Sequence, residues 1–407
     1  MTSSQDSSVL NSHRLHRKSF ATLLLLTITL LGVFPLDVVL PSFPALSTQF
    51  QTPMSNIALS VSLFAIGVAF SQLLIGPLSD VIGRKGLLLA GLGVAMIGAI
   101  GCVLSTNFSG FLFFRVIQAL GCGCFVLSQA LIQDLFEEKE RDRLRILLVT
   151  TGGVMISVSP LLGTGLQHLT NWQGSFLVFL ALTMLVFLWA CFFLEDVRPT
   201  PSAPARRIYR AYRLVFGDAS FVAYWLISSL AFACHFSFIV VSPILFMDRL
   251  GFSDFRFSLI LLIYGVAYVI GGALAGFLHK RISPDTQIFL GFCLIAFAGL
   301  ILLTVSRQFG LEARSLLLTM ILCTTGITLA RPAATSKAMA MFPENAGTAA
   351  SAGSLLIFIT GGLISALINL GDTYQENLLA FAFMVSGGIG LALNIRLKRQ
   401  TRSSHSS

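Results

Sequence analysis

Twelve apolar runs, each close to the length that carries a helix across a bilayer, follow one another between residues 20 and 396. They are read at 20–42, 57–78, 86–105, 110–133, 145–167, 174–194, 219–246, 257–278, 286–306, 314–337, 346–370 and 378–396. A membrane-crossing helix needs about 20 predominantly apolar residues. In lipid only helices and closed barrels satisfy their own backbone. The runs are continuous rather than alternating, which points to helices and away from a barrel. The expectation is an all-α membrane protein with almost no soluble domain. Composition agrees: 55% of the 407 residues are hydrophobic and 11% are charged.

The formal net charge of +9 would suit a nucleic-acid partner if the basic residues clustered on one domain. They do not; they alternate with the spans. The tail (Arg14, Arg17, Lys18) and the connections after spans 2, 4, 6 and 8 carry most of them, with more at the C-terminus (Arg396, Lys398, Arg399, Arg402). That side holds 20 Lys and Arg; the other holds Arg249, Arg256, Arg307 and Arg314. Such a bias follows the positive-inside rule. Both termini are therefore expected in the cytoplasm, with the lipid bilayer as partner and no nucleic acid. The first apolar run follows a basic stretch, as a cleaved leader would. Its length, with Pro35, Asp37 and Pro41 near its end, marks it instead as a retained first helix. The seven cysteines all fall inside spans, at spacings that suggest neither a metal site nor a disulfide framework.

One long polar connection divides the chain into six spans and six. The expected organisation is a cytoplasmic tail (1–19), an N-terminal six-helix half (20–194), a central loop (195–218), a C-terminal half (219–396) and a second cytoplasmic tail (397–407). Within the loop, residues 206–216 have the pattern of a basic amphipathic helix on an anionic leaflet. The halves echo each other. Gly76-x-Leu78-x-Asp80-x-x-Gly83-Arg84-Lys85 recurs in degenerate form as Gly272-x-Leu274-x-Gly276-x-x-His279-Lys280-Arg281, each copy after the second span of its half. Internal duplication of this kind suits an alternating-access carrier with its site between the halves.

The first of those stretches resembles the signature loop between helices 2 and 3 of the major facilitator superfamily. Further stretches are similar to one branch of it, the drug/proton antiporters of the bicyclomycin-resistance (Bcr/CflA) type. These are Asp37-x-x-Leu40-Pro41-x-x-Pro44 in span 1 and Arg115-x-x-Gln118-Ala119-Leu120-Gly121 in span 4. Ser159-Pro160-Leu161-Leu162-Gly163-Thr164 in span 5 and Phe342-Pro343-Glu344-Asn345-Ala346-Gly347-Thr348-Ala349 near span 11 join them. Two positions depart from the branch: Thr164 stands where a second glycine is usual, and Trp172 is followed by Gln173 rather than arginine. The resemblance implies twelve helices in two pseudo-symmetric six-helix halves. It also implies a cytoplasmic latch at Gly76, Asp80, Gly83, Arg84 and Asp134, and an antiporter motif at Gly153, Pro160 and Gly163 that limits proton leak.

A charge at mid-bilayer costs at least about 2.5–3.5 kcal/mol, so it is normally functional or paired. Asp37 is the one acidic residue well inside a span, and Arg115 is expected at a similar depth on another helix. Asp37 is expected to carry the coupling proton, with Arg115 setting its proton affinity or competing with substrate for it. Arg331, His235 and Gln118 are candidates for substrate contact, with Arg331 suited to an anionic group. Lys337 is expected to snorkel toward the nearby surface. A static ion pair remains the plainer reading of Asp37 and Arg115.

The expectation is thus a proton-coupled exporter of small, partly hydrophobic compounds, without cofactor, using the proton gradient. It is expected as a monomer in a bacterial inner membrane, with protons and a small-molecule substrate as partners. A dedicated exporter of an endogenous metabolite, such as a carboxylate siderophore, is the alternative. An uptake symporter fits the span-5 motif less well. A membrane-embedded enzyme would need clustered His, Asp or Glu near one face, and none is visible.

Overall fold

The computed structural model describes residues 20–32, 34–194, 205–279, 281–342, 346–371 and 374–405. Several side chains between 77 and 81, 129 and 153, and 205 and 209, with those at 346 and beyond 400, lie outside that description, including those of Asp80 and Asp134. The chain is all helical among the described residues. The long helices are α1 (Phe20–Phe50), α2 (Met54–Ile82), α3 (Arg84–Leu104), α4 (Phe108–Cys122, a 3-10 turn Gly123–Val126, then Leu127–Leu135), α5 (Glu138–Thr170) and α6 (Gln173–Phe193). A linker helix, Ala205–Gly217, follows. The second set is α7 (Ala219–Pro243, continued by a π turn Ile244–Arg249), α8 (Asp254–His279), α9 (Pro284–Phe309), α10 (Ala313–Ala340), α11 (Ala346–Asn369) and α12 (Gln375–His405). Eleven of these twelve are long and apolar enough, among the described residues, to cross a membrane. The other is α5, 33 residues long, whose first half holds many of the side chains outside the description.

The connections fall on two sides. The basic side carries the α2–α3 turn, the linker helix, the start of α1 and the end of α12; the far side carries the turns near residues 52, 106, 172, 252 and 311 and the one between Gly371 and Tyr374. Within each half the helices pack closely, α3 on α4 and α6, and α9 on α10 and α12. The two most extensive contacts between the halves are α2 along α11 and α5 along α8.

The apolar core is not divided evenly. One cluster belongs to the N-terminal half alone, from Leu24 and Leu31 through Leu92 and Leu131 to Val186. The other fills the C-terminal half and crosses the seam to take in Leu40, Phe43, Phe50, Phe111, Trp172 and Phe176 at the far ends of α1, α4 and α6. Phe50 packs within this far-side group, with its ring 5.0 Å from Phe111 and 5.6 Å from Trp172. Apolar burial therefore closes the far side.

Span 1 is longer than the sequence suggests. Residues 34–37 end a helical stretch, Val38 and Val39 form a turn, and a 3-10 turn Leu40–Ser42 leads into Phe43–Phe50. Pro41 and Pro44 fall at the first turns of these two pieces, where a missing N–H costs nothing. The prolines that seem to end the helix at 42 redirect it instead. Asp37 consequently stands near the middle of a 31-residue segment, not near its end.

Candidate functional site

The break in α1 organises the N-terminal half. The last carbonyls of a helix have no intrahelical donor and carry the negative end of its dipole. Arg115, on α4, uses one of them: its Nη2 donates to Pro35 O at 2.7 Å. Its Nη1 donates to Gln118 Oε1 at 2.7 Å, one turn along the same helix. The guanidinium also lies over the Phe64 ring, 4.3 Å from its centroid. At 1% exposure this is among the most deeply buried large side chains in the protein. Gly121 completes the Arg-x-x-Gln-x-x-Gly pattern through packing. A Cβ there would lie 2.2 Å from the backbone nitrogen of Ala95, so the glycine lets α3 and α4 touch. A void of about 10 Å³ lies beside this site, lined by Pro35, Val39, Arg115, Gln118 and Ser175 among others.

Asp37 is also buried, at 8% exposure. It is not the partner of Arg115. Among the described residues no ion pair joins them, and the arginine is occupied by a backbone carbonyl two residues earlier and by Gln118. Arg115 touches the α1 break at Pro35, two residues before Asp37, without the expected salt bridge to it. The carboxylate sits where the helix ends, so its charge opposes the local dipole.

The α5 motif reaches this same place. A Cβ on Gly163 would lie 2.2 Å from the carbonyl oxygen of Val38, the residue after Asp37. Only glycine lets α5 press on the α1 break so closely. Ser175 Oγ donates to the same carbonyl at 3.4 Å. Pro160 leaves its own carbonyl accepting from Ser258 Oγ of α8 at 3.0 Å and from Thr164 Oγ1 at 3.2 Å. The motif thus links α1, α5 and α8. Gly153 lies among the α5 residues whose surroundings are outside the description.

In the C-terminal half, His235 Nδ1 and Tyr264 OH are 2.6 Å apart, and the His235 ring stacks on Tyr264 at 14°. Tyr268, one turn further along α8, has its ring 5.2 Å from that of His235. Arg331 approaches the Tyr268 hydroxyl at 3.5 Å and lies over the Phe232 ring, 4.9 Å from its centroid. The sequence candidates Arg331 and His235 therefore share one cluster, while Gln118 belongs to the Arg115 site in the other half. Phe232, Tyr264 and Tyr268 complete the cluster and escaped the sequence reading, because aromatic residues are common in every span.

Lys337, in the last turn of α10, has protein partners. Its Nζ pairs with the Asp285 carboxylate at the start of α9 and donates to Tyr224 OH of α7 at 3.2 Å. Arg249 and Glu376 form a second ion pair, between the far ends of α7 and α12.

At the α2–α3 turn, Gly83 has φ +104°, a conformation that L side chains rarely adopt. Arg84 Nη1 donates to Ser79 Oγ at 2.9 Å, and Lys85 Nζ donates to the Cys191 carbonyl of α6 at 2.8 Å. Gly76 faces Ser351 of α11, whose Oγ a Cβ there would meet at 3.2 Å. The helices run antiparallel, so one turn further α2 comes level with the first turn of α11. The latch expected of Asp80 and Asp134 falls on side chains outside the described residues.

Two helical bundles meeting along two seams, closed on one side and holding charged residues at mid-depth, make a polytopic membrane transporter rather than an enzyme. Comparison with known proteins gives the class its family. Residues 25–366 match the Major Facilitator Superfamily, and the chain belongs to it. It is 26% identical to Multidrug resistance protein D of Escherichia coli (strain K12) over 92% of each chain. It is 28% identical to a Chloramphenicol resistance protein of Pseudomonas aeruginosa, over 86% of this chain and 84% of that one. The crystal structure of a D-xylose-proton symporter shares the fold, with a TM-score of 0.74 at 17% identity over 93% of this chain and 96% of that one.

Proposed function

We propose that this transporter is a proton-coupled exporter of small, partly hydrophobic compounds, of the bicyclomycin-resistance (Bcr/CflA) type, working by alternating access in a bacterial inner membrane with both termini in the cytoplasm. The observation that carries the proposal is the placement of Asp37. It is a buried carboxyl at a helix break, without a cationic partner among the described residues, pressed by the α5 motif through Gly163 and Val38. An ionised carboxylate in that position is costly, and protonation removes the cost. Proton uptake then favours passage of the α1 break through the closed state, and release on the other side resets it. Arg115 acts as a fixed positive post that holds the break by Pro35. Each charge moved across 100 mV yields about 2.3 kcal/mol, ample to drive a small molecule outward. The relatives named for multidrug and chloramphenicol resistance support export of small apolar-bodied compounds.

The test uses everted vesicles with an imposed pH gradient, acidic inside, and a pH-sensitive dye. Adding chloramphenicol or ethidium to vesicles with the wild-type chain should release protons from the lumen. Asp37→Asn vesicles should release none while holding equal amounts of protein. Proton release that persists in Asp37→Asn removes Asp37 from the coupling, and no release from wild type with any drug of a broad panel removes drug/proton antiport.

A further inference from the structure

Three cations lie within the spans: Arg115, Arg331 and, in the last turn of α10, Lys337. Two are held by short contacts to the protein. Arg115 donates two 2.7 Å hydrogen bonds, and Lys337 holds Asp285 and Tyr224. Arg331 differs. It meets no carboxylate among the described residues, and its one protein hydrogen bond is the long 3.5 Å approach to Tyr268 OH. A guanidinium has five N–H donors in a rigid fork, so most of its capacity is unspent. It is only half-buried, near the middle of α10, and is followed by Pro332, which interrupts the helix ladder there.

Its surroundings are aromatic. The guanidinium rests on Phe232, whose ring stacks with Phe236 at 5.5 Å and meets Phe358 edge-on at 5.6 Å. Both seams border this cluster. Gly361, which contacts Phe232, is followed by Gly362, packed on Ser62 and Ile66 of α2, while Gly265 of α8 packs on Ser157 of α5 one turn before Tyr268. The cluster therefore lies where the halves part during alternating access. The Tyr268 hydroxyl accepts from Arg331 and still has its own hydrogen to give. His235, held by Tyr264, packs its ring at a tilt against Tyr268, 5.2 Å between centroids.

We propose that Arg331 and Tyr268 form the anion-receiving end of a mid-membrane substrate site, with Phe232 and Phe358 as its apolar wall, so that the preferred substrates are carboxylates on an aromatic or lipophilic body. This rests on the transporter reading above and narrows its substrate class. An arginine fork matches the two oxygens of a carboxylate, and in a water-poor site such a charge-assisted pair outweighs neutral hydrogen bonds.

The test compares two probes of equal shape, 1-naphthoate and 1-naphthamide, by equilibrium dialysis against the full chain in lipid nanodiscs at neutral pH. Wild type should bind naphthoate at least about tenfold more tightly than naphthamide, the margin one well-placed charged contact provides. Arg331→Gln should bring the ratio near one while leaving naphthamide binding in place. Arg331→Lys should restore part of the preference, and Arg314→Gln, at an exposed arginine in the first turn of α10, should leave it unchanged. Equal binding of the two probes by wild type, no measurable naphthoate binding, or an undiminished preference in Arg331→Gln would overturn the proposal. Because dialysis needs no gradient, these outcomes are independent of proton coupling. Antiport without naphthoate preference sinks the substrate class alone, and preference without antiport sinks the coupling alone.

Discussion

Thr164 Oγ1 of α5 and Ser258 Oγ of α8 lie 2.7 Å apart, joining the two halves near the far side. Thr164 also approaches the Asp254 carbonyl at 3.4 Å, and Ser258 holds the Pro160 carbonyl. The other seam has its own hydroxyl pair, Ser62 and Ser365, at 2.9 Å. The position that departs from the usual second glycine of the motif is thus a cross-seam fastener.

Thr164→Val should weaken the closed far side. Removing one partner of a buried hydroxyl pair costs about 1–2 kcal/mol, which shifts a two-state balance by roughly five- to thirtyfold. A cysteine placed at the far end of the seam, in a background without native cysteines, should react faster with a membrane-impermeant maleimide in the variant. An unchanged rate would mean that the apolar cluster across the seam alone holds the far side shut.

Arg115→Lys should cost activity and stability together. A lysine keeps the charge but cannot reach Pro35 O and Gln118 Oε1 with one planar group. It leaves a buried carbonyl or amide unsatisfied, about 1–3 kcal/mol. The expected result is a lower melting temperature in detergent and drug export near background. A variant that melts and exports like wild type would show that the α1 break holds itself.

The contrast between Arg115 and Asp37 marks how far the sequence is legible. Helix number and order are written in the apolar runs, because a bilayer demands about 20 apolar residues per crossing. Interior charges stand out for the same reason. Their partners do not. The Pro35 carbonyl becomes available only because α1 stops at Asp37, and backbone acceptors carry no residue signature. Asp285, 52 positions before Lys337, sits at a helix start where an acid needs no special explanation. The extent of α1 was obscured by Pro41 and Pro44, which signal an end but permit a fresh start.

The Lys337–Asp285 pair ties α10 to α9 on the basic side, with Tyr224 of α7 as third member. Asp285→Asn leaves the ammonium half-buried without its counter-ion, at a cost of about 1–2 kcal/mol. The exchange Asp285→Lys with Lys337→Asp should recover part of the lost thermal stability in a double-mutant cycle. Additive losses would show that the two residues act independently.

Gly163→Ala tests whether the α5 motif acts on Asp37 through the α1 break. The added methyl would lie 2.2 Å from the Val38 carbonyl oxygen, a backbone atom that cannot swing aside as a side chain would. Either α5 retreats from α1 or the break shifts, and both move the residue next to Asp37. Overpacking of this kind typically costs about 1–3 kcal/mol. The expected variant still folds, because apolar packing between the halves is otherwise intact, but exchanges fewer protons per drug molecule in everted vesicles. Its passive proton leak should rise as the contact loosens. A drop in drug transport with the proton-to-drug ratio unchanged would place Gly163 in packing alone, and would detach the motif from the carboxyl it adjoins.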